Sequence, residues 1–359
     1  MRSCKRNVIQ SVARNLECII WCIFMLLFTS CEHRELVDRE NGPYSRRVRV
    51  YLEENIRNVS FGFYNDALPK PAYRTPEVMR VVLCDPVSGD VVSDSYLREK
   101  GTDKRGNYLE GTVWVEPGHY RLLAYNFDTE SVHVENKYDF SSMYAYTNAI
   151  SEELYRRLGS VRSRSDVNDW RIVYEPDHFF VENGESVTVS EYTDTLRTEA
   201  GTHFMAVSTV KSYYLQVQVT GAEFVSSAVA LLSGMAGSVQ IHDGKMRAED
   251  PVAIHFDLQN GTDRDDMEKI VAYATFHTFG KLEEEDNYLS ITFEFKTKTG
   301  NVITETIPLT ELFNTNMVRE NQWIIIDKVI VIPPPGGEEG GGMAPDVDEW
   351  DNVGGDIYL

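Results

Sequence analysis

What the chain is short of narrows its work before anything it contains is considered. It holds five cysteines, and Cys4, Cys18 and Cys22 fall at its very start. With that start set aside, Cys31 and Cys84 remain, so a disulfide framework is excluded and core burial must hold the fold. Positive charge is also scarce: 35 Lys and Arg stand against 56 Asp and Glu, a net −21. Phosphate backbones and anionic headgroups reward cations, so neither nucleic acid nor an acidic lipid surface is expected as a ligand. The apolar run 18–28 is shorter than the about 20 residues that span a bilayer. There is no His-Glu-x-x-His, no phosphate-cradling glycine loop, no nucleophile elbow and no Cys-x-x-Cys. No catalytic residue, no metal site and no cofactor is expected, and the chain does not read as an enzyme.

What is present begins with an export signal. Arg2, Lys5, Arg6 and Arg14 precede the apolar run, which closes on Thr29-Ser30-Cys31. Small residues directly before a cysteine resemble the lipobox of bacterial lipoproteins, in which a diacylglycerol is attached to the cysteine and cleavage makes it residue one. The alternative is an ordinary secretory peptide, for which Phe28 speaks, since the lipobox usually carries Leu there. Residues 1–30 are read as the signal peptide and Cys31 as the lipidation site. Two or more acyl chains on Cys31 would anchor it stably. Residues 31–45 are polar and read as a tether. Glu32, Glu35, Asp38 and Glu40 loosely resemble the acidic export signals of surface lipoproteins.

Beyond the tether the pattern is β. Val48, Val50 and Leu52 alternate strictly, as do Leu215, Val217 and Val219, and Leu289, Ile291, Phe293 and Phe295. Ser88-Gly89-Asp90 and Thr299-Gly300-Asn301 are turn signals between apolar runs. Glu116-Pro117-Gly118-His119 predicts a type II turn that joins 108–115 and 120–125 as a hairpin. Residues 253–258 and 270–279 read as two strands separated by an acidic turn at 260–263. The last strand, 323–332, is rich enough in Ile and Val to be covered on both faces. Helical spacing is confined to Ile150, Leu154 and Leu158, with Asn148 or Ser151 to cap the start, and to one turn around 309–313. Short strands with turns between them favour antiparallel sandwiches over α/β folds. Two domains are expected, 46–185 and 186–332, followed by a Pro/Gly-rich linker and acidic tail, 333–359.

The scattered residues of chemical interest read mostly as structure. His255 and His277 lie in strands without a third placed ligand. Cys84 reads as a buried small hydrophobe. Asp346, Asp348 and Asp351 lack the glycine and glutamate of an EF-hand, and 263–266 and 283–286 read as exposed acidic turns. Trp114 and Trp170 suit a sandwich core, with sugar stacking as the other reading. Trp350, beyond a flexible linker, is a candidate partner contact.

Several segments carry a resemblance. The lipobox cysteine with Glu-His-Arg-Glu-Leu, the Arg-Val-Arg-Val strand and Val-Glu-Pro-Gly-His-Tyr-Arg-Leu-Leu-Ala-Tyr-Asn are three of them. Arg-Ile-Val-Tyr-Glu-Pro-Asp-His and the ending Gly-Gly-Gly-x-x-Pro-Asp-Val-Asp-Glu-Trp are two more. Together they resemble the fimbrillin-like lipoproteins of Bacteroidales-type bacteria, a group related to fimbrial subunits and fimbrial anchor proteins. The resemblance implies an all-β chain of two tandem transthyretin-like, Greek-key β-sandwich domains with one or two short helices. It implies an outer-membrane, lipid-anchored and surface-exposed subunit that joins other fimbrial subunits at sheet edges by strand addition. In polymerising relatives a protease cuts after an arginine, which makes Arg46 and Arg47 candidate processing positions. Because they precede the first strand, an anchor that keeps its lipid and that strand is the better match. A surface glycan-binding lipoprotein is the alternative.

Overall fold

Alternating Val48, Val50 and Leu52 do what period two dictates: they point inward from β1 (Ser45–Leu52), while Arg47 and Arg49 stand on the opposite face. The computed structural model describes residues 44–53, 74–158, 170–263, 269–283 and 289–335. The expected signal peptide, Cys31, the expected tether up to residue 43, and the expected linker and acidic tail after Pro335, with Trp350, lie outside the described residues, while Ser45, the tether's expected last residue, opens β1. What is described is all-β.

β1 belongs to an eight-stranded sheet with β2 (Met79–Cys84), β3 (Val91–Leu97), β4 (Glu99–Asp103), β5 (Gly106–Trp114), β6 (Gly118–Asn126), β10 (Phe180–Val189) and β11 (Phe204–Ser208). The spatial order is β3-β2-β6-β10-β11-β1-β5-β4. The sheet rolls on itself until β3 meets β5. Ser93 Oγ donates to the Trp114 carbonyl, Ser95 Oγ to that of Thr112 at 2.6 Å, and Arg98 N to that of Glu110 at 3.2 Å. Gly111 allows this approach, since a Cβ there would lie 3.2 Å from the Leu97 Cα and the Tyr96 carbonyl. Val48, Val50, Val81, Leu83, Leu122 and Phe204 fill the roll. β11 switches partners midway, pairing with β10 at 207–208 and with β1 at 204–206. Where it changes, Glu182, beside a bulge at Asn183–Glu185, accepts the Met205 N–H at 3.1 Å.

The second core lies between two sheets. One is β16 (Gln259–Thr262), β17 (Ile270–Thr278), β12 (Lys211–Thr220) and β20 (Trp323–Val331), in that order. The other is β19 (Val302–Pro308), β18 (Ser290–Thr297), β13 (Val225–Ala236), β15 (Pro251–Asp257) and β9 (Arg171–Tyr174). Leu215 and Val217 of the first sheet meet Ala230, Ile254 and Phe293 of the second, and Phe256 stacks on Phe276 at 4.3 Å. A third sheet, β14 (Ser238–Gln240), β8 (Tyr144–Thr147) and β7 (Val132–Glu135), covers the back of the rolled one. Ala145 and Val239 pack there with Val82, Leu123, Tyr125 and Val181. The helices are short: α1 (Glu152–Arg157), capped by Ser151 Oγ at 3.2 Å from Leu154 N, then α2 (Thr310–Phe313) and α3 (Asn316–Asn321).

Four expectations change. β5 and β6 do not pair; β5 lies between β1 and β4 and β6 between β2 and β10. Gly118 stays out of the left-handed region and starts β6 under the Tyr120 ring, so Pro117-Gly118 carries the chain across the roll instead of folding it back. Residues 260–263 are expected as a turn, but 259–262 form β16, which pairs antiparallel with β17. β20 is not covered on both faces: it is an edge strand, and Val329 and Val331 are 46% and 63% exposed. The expected boundary at 185/186 falls inside β10, and β9, which precedes it, pairs with β15. The chain therefore passes between the two cores more than once, at 174–180 and again at 208–211.

Candidate functional site

Glu175-Pro176-Asp177-His178, the connection from β9 to β10, is clasped to the segment after β6. Ser131 Oγ donates to the Glu175 carbonyl and accepts from Asp177 N, both at 2.9 Å. The Asp177 carboxylate accepts the main-chain N–H groups of Glu130 and Ser131, both at 2.6 Å. Asn126 donates to the His178 carbonyl at 3.2 Å and accepts from Phe180 N at 2.8 Å. β17 brings His277 to the same place, its ring centroid 4.5 Å from that of His178.

Asn126, residues 175–178 and His277, with Arg74, Pro76, Asp128 and Thr129, line a cavity of about 280 Å³. Glu175, through its carboxylate, accepts the main-chain N–H of His277 at 2.9 Å. Burial pushes its carboxyl up to about 7, with Asp257 and Asp177 adding to the rise against that hydrogen bond. Burial also lowers His277 to about 4, helped by His178 and opposed by Asp177. Ser212 Oγ and His277 Nδ1 are 2.9 Å apart, the contact a nucleophile and its base would make. Ser212 is fully buried, so no substrate carbonyl reaches it. Among the described residues no group of three or more His, Cys, Asp or Glu is placed to hold a metal. What the arrangement does chemically is join the two cores through a polar, pH-sensitive seam.

The residues singled out from sequence are not brought together. Arg46 and Arg47 lie inside β1, not ahead of it, and are flanked by β5 and by residues 194–195. Arg46 is buried, with its guanidinium 3.5 Å from the carbonyls of Ser190 and Glu191. Cys84 is fully buried, and burial raises its thiol to about 11. His255 is buried on β15, opposite Tyr174, the residue before Glu175, and does not line the cavity. Trp114 is partly buried, with the Tyr44 ring edge-on at 5.7 Å. Trp170 is partly buried too. The seam was missed because His277 follows Glu175 by 102 residues and nothing in either segment signals the other.

Among the described residues, β4 and β20 are edge strands of their sheets. β4 is short and carries Glu99, Lys100 and Asp103, the charged character that discourages pairing. β20 is longer and shows valines. Lys328 pairs with Glu305 of β19, which draws the two edge strands of the second core together.

The described residues thus define an all-β fold of rolled and stacked sheets with a polar seam between its cores. The chain belongs to the DUF5119 family (domain of unknown function), whose model matches residues 30–257. Among curated proteins it is similar to "Putative fimbrium anchoring subunit Fim4B" of Bacteroides ovatus, 25% identical over 253 residues. That match takes in 70% of this chain and 61% of the relative's length. Among solved structures it is similar to a "putative adhesin" of Bacteroides ovatus, with a TM-score of 0.52, 22% identity and coverage of 86% of this chain and 99% of that one. The fimbrial anchor protein Mfa2 of Porphyromonas gingivalis matches with a TM-score of 0.44 and 14% identity, over 80% of this chain and 90% of that one.

Proposed function

We propose that the chain is a lipid-anchored structural protein of the outer membrane, an anchor or accessory subunit of a fimbria-like adhesive assembly. It is held at Cys31, faces outward and joins partner subunits through sheet edges. The observation that carries this reading is the 253-residue similarity to a relative bearing the name of a fimbrium anchoring subunit. In this reading the two larger cores belong to two transthyretin-like sandwiches in series, which hold the partner away from the lipid. β1 stays in place and the chain is not cut at Arg46 or Arg47. The family match begins at residue 30, one position before the cysteine, which supports Cys31 as the start of the mature protein.

The exposed valines of β20 and the tail around Trp350 are the surfaces this reading offers to a partner. Electrophoresis of cell envelopes tests it. An assembled subunit gives a detergent-resistant, heat-labile ladder containing this chain. A single unassembled band from cells that make the partner subunits contradicts the reading.

A further inference from the structure

We propose that β1 and β11 form a mechanical clamp that bears tension between the amino-terminal attachment and everything after Ser208. A pull on the amino end reaches the described fold at Tyr44 and enters β1 at Ser45. After the earlier crossing at 174–180, the chain leaves the rolled sheet for the last time at the carboxyl end of β11, two residues before β12 begins in the second core. β1 and β11 are parallel, in register Val50 to Phe204, Tyr51 to Met205 and Leu52 to Ala206. When one of two parallel strands is drawn by its amino end and the other by its carboxyl end, they slide in opposite directions along their common axis. Every hydrogen bond between them is then loaded together, whereas strands pulled from a shared end unzip bond by bond.

The parallel contact is longer than β11 itself. Arg47 N donates to the Asp194 carbonyl and Leu196 N to that of Arg47, both at 2.8 Å, and Glu53 N to that of Ala206 at 2.9 Å. The bonds thus extend from Arg47 to Glu53. On its other side β1 pairs with β5 throughout 45–51, so it cannot swing out as an edge strand would. The guanidinium of Arg46 lies over the Ser190 and Glu191 carbonyls, a further brace against sliding. A slip of one residue would turn Val48, Val50 and Leu52 out of the core, so no intermediate register relieves the load.

This rests on the reading that the chain is held at Cys31 and engaged beyond its last strand. Its test needs no membrane. The mature chain, 31–359, is stretched between handles on Cys31 and on the carboxyl terminus, Cys84 being buried and unreactive. A second preparation carries its handles on Cys31 and on Glu116→Cys, an exposed position just past Trp114, the partner of Ser45. That pair peels β1 from one end. The clamp predicts that the rolled sheet yields in the first geometry at about twice the force of the second or more, at equal loading rate, since forced rupture follows the unfolding barrier. Equal forces, or a weaker first geometry, overturn it. Arg47→Pro, which removes the bond to Asp194, is expected to lower the first force and leave the second little changed. If that variant does not fold, the comparison of the two geometries without it still decides. Failure of the anchoring reading shows separately, as a Cys31→Ala chain that stays on the membrane.

Discussion

Glu175 and His277 put opposite pH signatures on one seam. Glu175 titrates at about 7 in the fold, above its ordinary 4.5, so its contribution to stability is full below 4.5 and is lost as pH rises through 7. His277 titrates at about 4, below its ordinary 6.5, so its contribution is full above 6.5 and is lost as pH falls through 4. Between 4.5 and 6.5 the two slopes offset. Glu175→Gln removes one of them, and melting followed from pH 4 to 8 checks it. The variant should gain on the wild type by roughly 2 kcal/mol across 4.5 to 7, after allowance for partial solvation. Parallel curves would mean that Glu175 is not held in the seam as described. Cys84, by contrast, was legible as a buried hydrophobe from its apolar neighbours alone. The seam was not, because neighbours in sequence carry no record of what a strand a hundred residues later will bring.

At the scale of elements, local grammar was read correctly where the turn and its pairing are both local. Gly89 and Gly300, at φ +81° and +88°, turn β2 into β3 and β18 into β19. Pro117-Gly118 has the same grammar and a different outcome: β5 pairs with β1 and β4, and β6 with β2 and β10. β20 was misread for a related reason: a continuous apolar run does not say whether a second neighbour exists. The closure of the roll depends on contacts of the same non-local kind. Gly111→Val should cost about 1–3 kcal/mol through forced separation of β3 from β5, measured as a lowered urea midpoint. Ser95→Ala, which removes one closing hydrogen bond and leaves the packing, should cost about 1 kcal/mol. If both changes are silent, β3 and β5 do not seal the roll.

For the whole molecule, the alternating pattern set the fold class, while the route of the chain between its cores stayed hidden. The acidic composition, and the export signal expected ahead of Cys31, suit the proposed protein held at one end and joined to others along its length. Deleting residues 336–359 should leave thermal stability unchanged, because the described fold closes before them, and should weaken the detergent-resistant ladder if the Trp350 segment meets a partner. An unchanged ladder assigns the partner contact to the sheet edges alone. The central claim is that attachment at Cys31 dictates where the protein works, and fractionation of cells that make Cys31→Ala tests it most directly. The account predicts a folded protein released from the outer-membrane fraction; the same variant recovered there in wild-type amount would contradict it.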